Sequence, residues 1–169
     1  MSEQKPKTAL EKKARQWLKD RGVTLEDIGE LVYYLQSPYH ETLEMDICIR
    51  NVDKVLGKRE VQNAVITGIQ LDVLAEQKKL ASPLQETIET DESLYGVDEI
   101  IALSIVNVYG SIGFTNYGYI DKQKPGILKK LNDKSTGMCH TFLDDIVGAI
   151  AASASSRLAH SEANDEELD

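Results

Sequence analysis

A chain of 169 residues, 41% hydrophobic and 28% charged, suits one globular domain that buries roughly 70% of its unfolded surface without disulfide staples. Its formal net charge is -9, of which the last nine residues, Ser161 to Asp169, supply five acids and no base. An acidic body excludes a nucleic-acid partner, which needs clustered Lys and Arg to displace counterions from phosphates. No stretch approaches the run of about 18 apolar residues that a membrane span requires, and the N-terminus lacks the apolar core of a signal peptide. Cys48 and Cys139 lack the paired spacing of a zinc site or redox motif, so both read as reduced thiols. The expectation is a cytoplasmic single domain over residues 1–160 with a disordered acidic tail over 161–169.

Helical periodicity dominates the chain, and the expected fold class is all-α, a single-domain multi-helix bundle. Thr8 to Asp20 sets Leu10, Ala14, Trp17 and Leu18 on one stripe and stops near Gly22. Thr24 and Asp27 have capping-box spacing and open a helix whose Ile28, Leu31, Val32 and Leu35 face inward. A third helix is expected over about Thr42–Leu56. A longer one follows over about Lys58–Lys79, where Glu60, Asn63, Thr67 and Gln70 recur at steps of three and four as a polar seam able to line a site.

Ser82 and Pro83 read as the N-cap and first residue of a short helix reaching Thr90. Val97 to Val108 carries apolar residues around its whole circumference, the pattern of a central helix enclosed by the others. The glycine- and tyrosine-rich stretch from Tyr109 to Tyr119 reads as a turn or broken helix. A short helix is expected after Pro125, and a last one over about Thr141–Ala159, kept thin by Gly148, Ala149, Ala151, Ala152 and Ala154. The early helices present more apolar surface than a small bundle obviously consumes, which predicts a homo-oligomer.

Against this background stand acids embedded in apolar sequence: Asp98 with Glu99, Asp121 with Lys124 and Pro125 behind it, and Asp144 with Asp145. Singly, each has an ordinary explanation. Asp98 and Glu99 suit a helix dipole, Thr141 and Asp144 suit a capping box, and Asp121 with Lys124 suits a surface ion pair. Capping does not explain the doubling of acids before strongly apolar continuations, where burial is costly unless a cation compensates. Oxygen donors from several helix ends are what a divalent ion such as magnesium requires. His40, His140 and His160 lack zinc-site spacing, and His140 reads as exposed.

In their order and intervals, Val97-Asp98-Glu99, Gly113-Phe114 followed by Ile120-Asp121 and Lys124-Pro125, and Phe142 to Ala149 resemble the phosphatidylglycerophosphatase A family, more closely its short soluble branch from Gram-positive bacteria. The resemblance is strong from Tyr95 to Ala152 and weaker from Arg59 to Leu84. The membrane enzymes' early PGT element survives at most as Thr67-Gly68, and their hydrophobic spans are missing. The resemblance implies magnesium-dependent removal of the terminal phosphate of phosphatidylglycerophosphate, leaving phosphatidylglycerol. The expected site uses Asp98, Glu99, Asp121, Asp144 and Asp145 as Mg2+ ligands or water-orienting groups, with Lys124 facing the phosphate and Asp145 as general base. The expected partner is a phosphate-bearing substrate, a lipid met at a membrane surface. The alternatives are a soluble phosphomonoester, or a non-enzymatic helical regulatory protein that keeps the metal site.

Overall fold

The structure, a computed structural model, describes residues 5–166. Among the described residues there are helices and turns but no strands, and the all-α class holds. The helix α1, Ala9–Asp20, is capped by the Thr8 hydroxyl, which accepts from Glu11 N at 3.2 Å. Helix α2, Leu25–Gln36, opens with the expected reciprocal capping box between Thr24 and Asp27. Helices α3, Met45–Leu56, and α4, Arg59–Glu76, follow, each starting one to three residues later than its periodicity suggests.

Helix α5, Leu84–Glu89, differs in its start. The Ser82–Pro83 peptide is cis, Pro83 occupies the cap position, and no side chain caps the helix. Helices α6, Val97–Val106, and α7, Ser111–Gln123, form a hairpin, and α8, Ile127–Leu131, leads towards α9, Leu143–Glu166. The stretch expected to be a turn or broken helix is therefore mostly α7. Its Gly113 answers a packing demand, since a Cβ there would stand 3.0 Å from Val106 Cγ1 on α6. Helix α9 runs through the first residues of the segment expected as tail; residues 167–169 lie outside the described residues.

The enclosed helix is α9, which corrects the expectation that Val97 to Val108 would occupy the centre. Every residue from Thr141 to Ser156 is buried, and α9 packs against α2, α3, α4, α6, α7 and α8. In α6 only Asp98, Ala102, Ile105 and Val106 are buried, while Ile100 is 65% exposed. The reason is girth. A helix studded with Ala, Gly and Ser lets several neighbours approach its backbone at once, whereas the branched side chains of α6 hold neighbours off. The closest approach comes from α4, where a Cβ on Gly68 would fall 2.2 Å from Ile146 Cδ1 and 3.0 Å from Phe142 Cβ.

The start of α9 lies in the interior, so its first N–H groups need partners that water cannot supply. They find them on α4. The carboxylate of Asp72, fully buried, accepts from Phe142 N and Leu143 N, each at 3.0 Å. The capping box expected from Thr141 and Asp144 does not form, because the Thr141 hydroxyl donates instead to Ile88 O at 2.6 Å. Replacing Asp72 with Ala strands these two donors. Asp72→Ala is expected to lower the unfolding free energy by about 2–3 kcal/mol, read from the midpoint of a denaturant titration. An unchanged midpoint would remove Asp72 as the anchor of α9.

Candidate functional site

The three acidic segments meet at the helix ends they occupy. Helix α9 contributes Asp144 and Asp145 in its first turn, with the Asp145 N–H donating to Asp144 Oδ1 at 2.8 Å. Helix α6 contributes Asp98 from its first turn, and these three acids are 6–8% exposed. Glu99, the next residue, is exposed at the rim. Helix α7 contributes Asp121 from its last turn and Lys124 from its C-cap, where a backbone φ of 46° turns the chain sharply. Lys124 Nζ donates to Asp121 Oδ1 at 3.0 Å and to Asp144 Oδ2 at 3.4 Å. This is no ordinary surface ion pair: one half-buried ammonium bridges two helices.

The charge balance is lopsided. Four carboxylates, from Asp98, Asp121, Asp144 and Asp145, gather near one ammonium. Burial and the neighbouring Asp144 and Asp98 carboxyl groups push the Asp145 carboxyl up to about 10. The buried acids crowd one another, and that crowding favours the neutral form of Asp145. Burial also raises Asp144, to about 6, against the opposing pull of Lys124. The carboxylates in turn hold the Lys124 ammonium above its ordinary range despite its burial.

Three further residues belong here that the sequence did not mark. Asn132, just after α8, donates its amide to Leu128 O at 2.8 Å and sits near enough to Asp144 to lower that carboxyl. Asp91, before α6, has a φ of 51° and is raised by burial, with Asp98 and Asp121 adding to the effect. Tyr117 of α7 sends its ring against Gly148 of α9. None carries a spacing signal, since each reaches the site through a turn or a helix contact rather than through a motif. Asp91 and Asn132 also border a cavity of about 290 Å³ lined by Lys134, Met138 and His140. His140, expected exposed, is half-buried beside Arg21, and burial lowers it to about 4, so it is neutral.

The polar seam lies apart from these acids. Glu60, Asn63, Thr67 and Gln70 are all exposed. The first three border a shallow groove with Ile101 and Ser104 of α6, and Gln70 borders another beside Trp17 and Arg21. Among the described residues, no three His, Cys, Asp or Glu side chains are already set to hold one metal ion. The oxygen donors available to a hard cation are those of Asp98, Asp121, Asp144 and Asp145.

A helical bundle that draws carboxylates from three helix ends to one lysine defines a class: an all-α protein with a buried acidic site. The family model for phosphatidylglycerophosphatase A matches residues 17–160, and the chain belongs to that family. Among its relatives is the uncharacterized protein YutG of Bacillus subtilis (strain 168), 70% identical over 160 residues, spanning 95% of this chain and 96% of the relative. Its fold matches the low temperature requirement C protein from Listeria monocytogenes with a TM-score of 0.92 and 69% identity, over 93% of this chain and 99% of that one. A protein of unknown function from Bacillus stearothermophilus matches with a TM-score of 0.89 and 74% identity, over 90% of this chain and 94% of that one.

The raised acids set the pH dependence of stability. Asp144 near 6, Asp72 near 8 and Asp145 near 10 each bind a proton more tightly in the folded chain than in the unfolded one. Their contribution is complete below the unfolded carboxyl value of about 4 and drains away as pH climbs through the folded values. In chelator, the melting temperature is expected to fall steadily between about pH 5 and pH 9. Asp145→Asn should flatten the upper part of that decline in circular dichroism melts. A melting temperature that rises over this window would contradict the arrangement.

Proposed function

We propose that this chain is a magnesium-dependent phosphomonoester hydrolase that converts phosphatidylglycerophosphate to phosphatidylglycerol. The observation that carries the reading is the meeting of Asp98, Asp121, Asp144 and Asp145 around Lys124, from segments far apart in a chain of the phosphatidylglycerophosphatase A family. Asp98, Asp144 and Asp145 would hold the ion, with Glu99 available at the rim. Asp145, expected from sequence as the base, is 6% exposed and enclosed among the other acids of the site, which suits it better to ligation.

A bound divalent ion supplies charge neutralisation on the phosphoryl oxygens and acidifies water. Lys124, held charged by its acidic neighbours, orients the phosphate. Asp121 stands half-exposed at the mouth and takes the proton from the attacking water. The new bond forms between water oxygen and phosphorus, the bond from phosphorus to the glycerol oxygen breaks, and solvent returns a proton to that oxygen.

A lipid substrate is favoured over a soluble one by the surface beside the site. Residues 100–120 carry no charged side chain in a chain that is 28% charged, and Ile100, Val108, Ile112 and Phe114 are exposed there. The same hairpin of α6 and α7 carries Asp98 and Asp121. Uncharged aliphatic and aromatic surface next to the acids suits contact with a bilayer interface. No described helix is long and apolar enough to cross a membrane, so the lipid would be met at the surface.

Phosphate release from phosphatidylglycerophosphate in mixed micelles is expected to require magnesium and to exceed release from glycerol phosphate. Asp98→Asn and Asp145→Asn should each lower it by about 100-fold or more. Normal rates in both folded variants would sink the assignment. Equal rates on the two substrates would move the reading to a soluble phosphomonoester. Magnesium-dependent stability without turnover on either would favour the regulatory alternative.

A further inference from the structure

We infer that Tyr117 is a positioning residue whose hydroxyl donates to the Asp145 carboxylate when a divalent ion occupies the site, and so fixes the oxygen that Asp145 turns towards the ion. The inference rests on the metal reading above. Tyr117 is 7% exposed, and its hydroxyl is enclosed without a hydrogen-bond partner. Burying a hydroxyl unpaired costs free energy, and a phenylalanine would fill the same apolar wedge without that cost. The placement of the ring shows what the oxygen is near. Tyr117 precedes Asp121 by one turn of α7, and its ring edge lies against Gly148, where a Cβ would stand 3.7 Å from Cε2 and 3.9 Å from Cδ2. Gly148 in turn follows Asp144 and Asp145 by one turn of α9. The carboxylates of Asp145, Asp121, Asp144 and Glu99 all act on the phenol, Asp145 most strongly.

A phenol is a donor, and these neighbours are acceptors. In the ion-free chain the phenol is idle. A carboxylate that spends one oxygen on a cation keeps lone pairs that an outer donor can satisfy. Outer hydrogen bonds of this kind hold ligating carboxylates in orientation, and their loss typically lowers metal affinity 10- to 100-fold.

The test compares the full chain with Tyr117→Phe, using Mn2+ as the probe in calorimetric titration and thermal melts in chelator. Tyr117→Phe is expected to melt in chelator at or above the wild-type temperature, yet to bind Mn2+ about 10-fold more weakly. Tyr109→Phe is the control. Its hydroxyl is also buried without a partner, but it feels Arg157 and Glu60 rather than the acidic site, so its Mn2+ affinity should match wild type. Unchanged affinity in Tyr117→Phe overturns the inference and leaves the metal reading standing. So does an equal loss in both variants, or a destabilised ion-free Tyr117→Phe, either of which marks a merely structural hydroxyl. A wild type that binds no Mn2+ overturns the metal reading and this inference together.

Discussion

Everything in this fold hangs on the way the buried start of α9 is satisfied. A helix whose first turn lies in the interior leaves N–H groups that water cannot reach, and Asp72 meets two of them from the neighbouring α4. Because the two bonds fall on Phe142 and Leu143, they fix where α9 begins along α4. The next residues are Asp144 and Asp145. The cap that keeps the central helix in place is therefore also what sets the height of the acidic site. Gly68, one turn before Asp72, makes the accompanying close approach possible by leaving room for Phe142 and Ile146.

Thinness at the centre has a second consequence. With small residues along α9, the hairpin of α6 and α7 lies close enough for Asp98 to reach Asp145 and for Lys124 to reach Asp144. Bulkier residues there would hold these helix ends apart, and the acids would be ordinary helix-terminal charges. Brought together in a low-dielectric setting, they repel one another, and the chain answers with a carboxyl that holds its proton on Asp145 and a bridging ammonium on Lys124. The site is thus electrostatically unfinished, and the tight packing of its surroundings prevents the acids from relaxing into solvent.

The outward face of the same hairpin is the counterpart of that interior. Helix α6 is apolar on every side, so burying Ala102, Ile105 and Val106 leaves Val97 and Ile100 outside. A stretch without charge over residues 100–120 and an acid-rich inner face on a single hairpin connect what the protein could touch with the chemistry it holds.

The sequence by itself determined the helical class, most helix positions, the Thr24 and Asp27 box, and the three acidic segments with their lysine, because capping and periodicity act within a few residues. The family was legible for a related reason: the acidic segments follow one another along the chain in a recognisable order and spacing. What only the tertiary structure decided is which helix is enclosed, that Asp72 rather than Thr141 serves the start of α9, and that Asp91, Asn132 and Tyr117 join the acids. Apolar residues around a whole circumference announce capacity for burial, but the thinness of a competing helix settles who occupies the centre. A partner 70 residues away in sequence, like Asp72 for Phe142, is chosen by packing alone, and no local pattern records it.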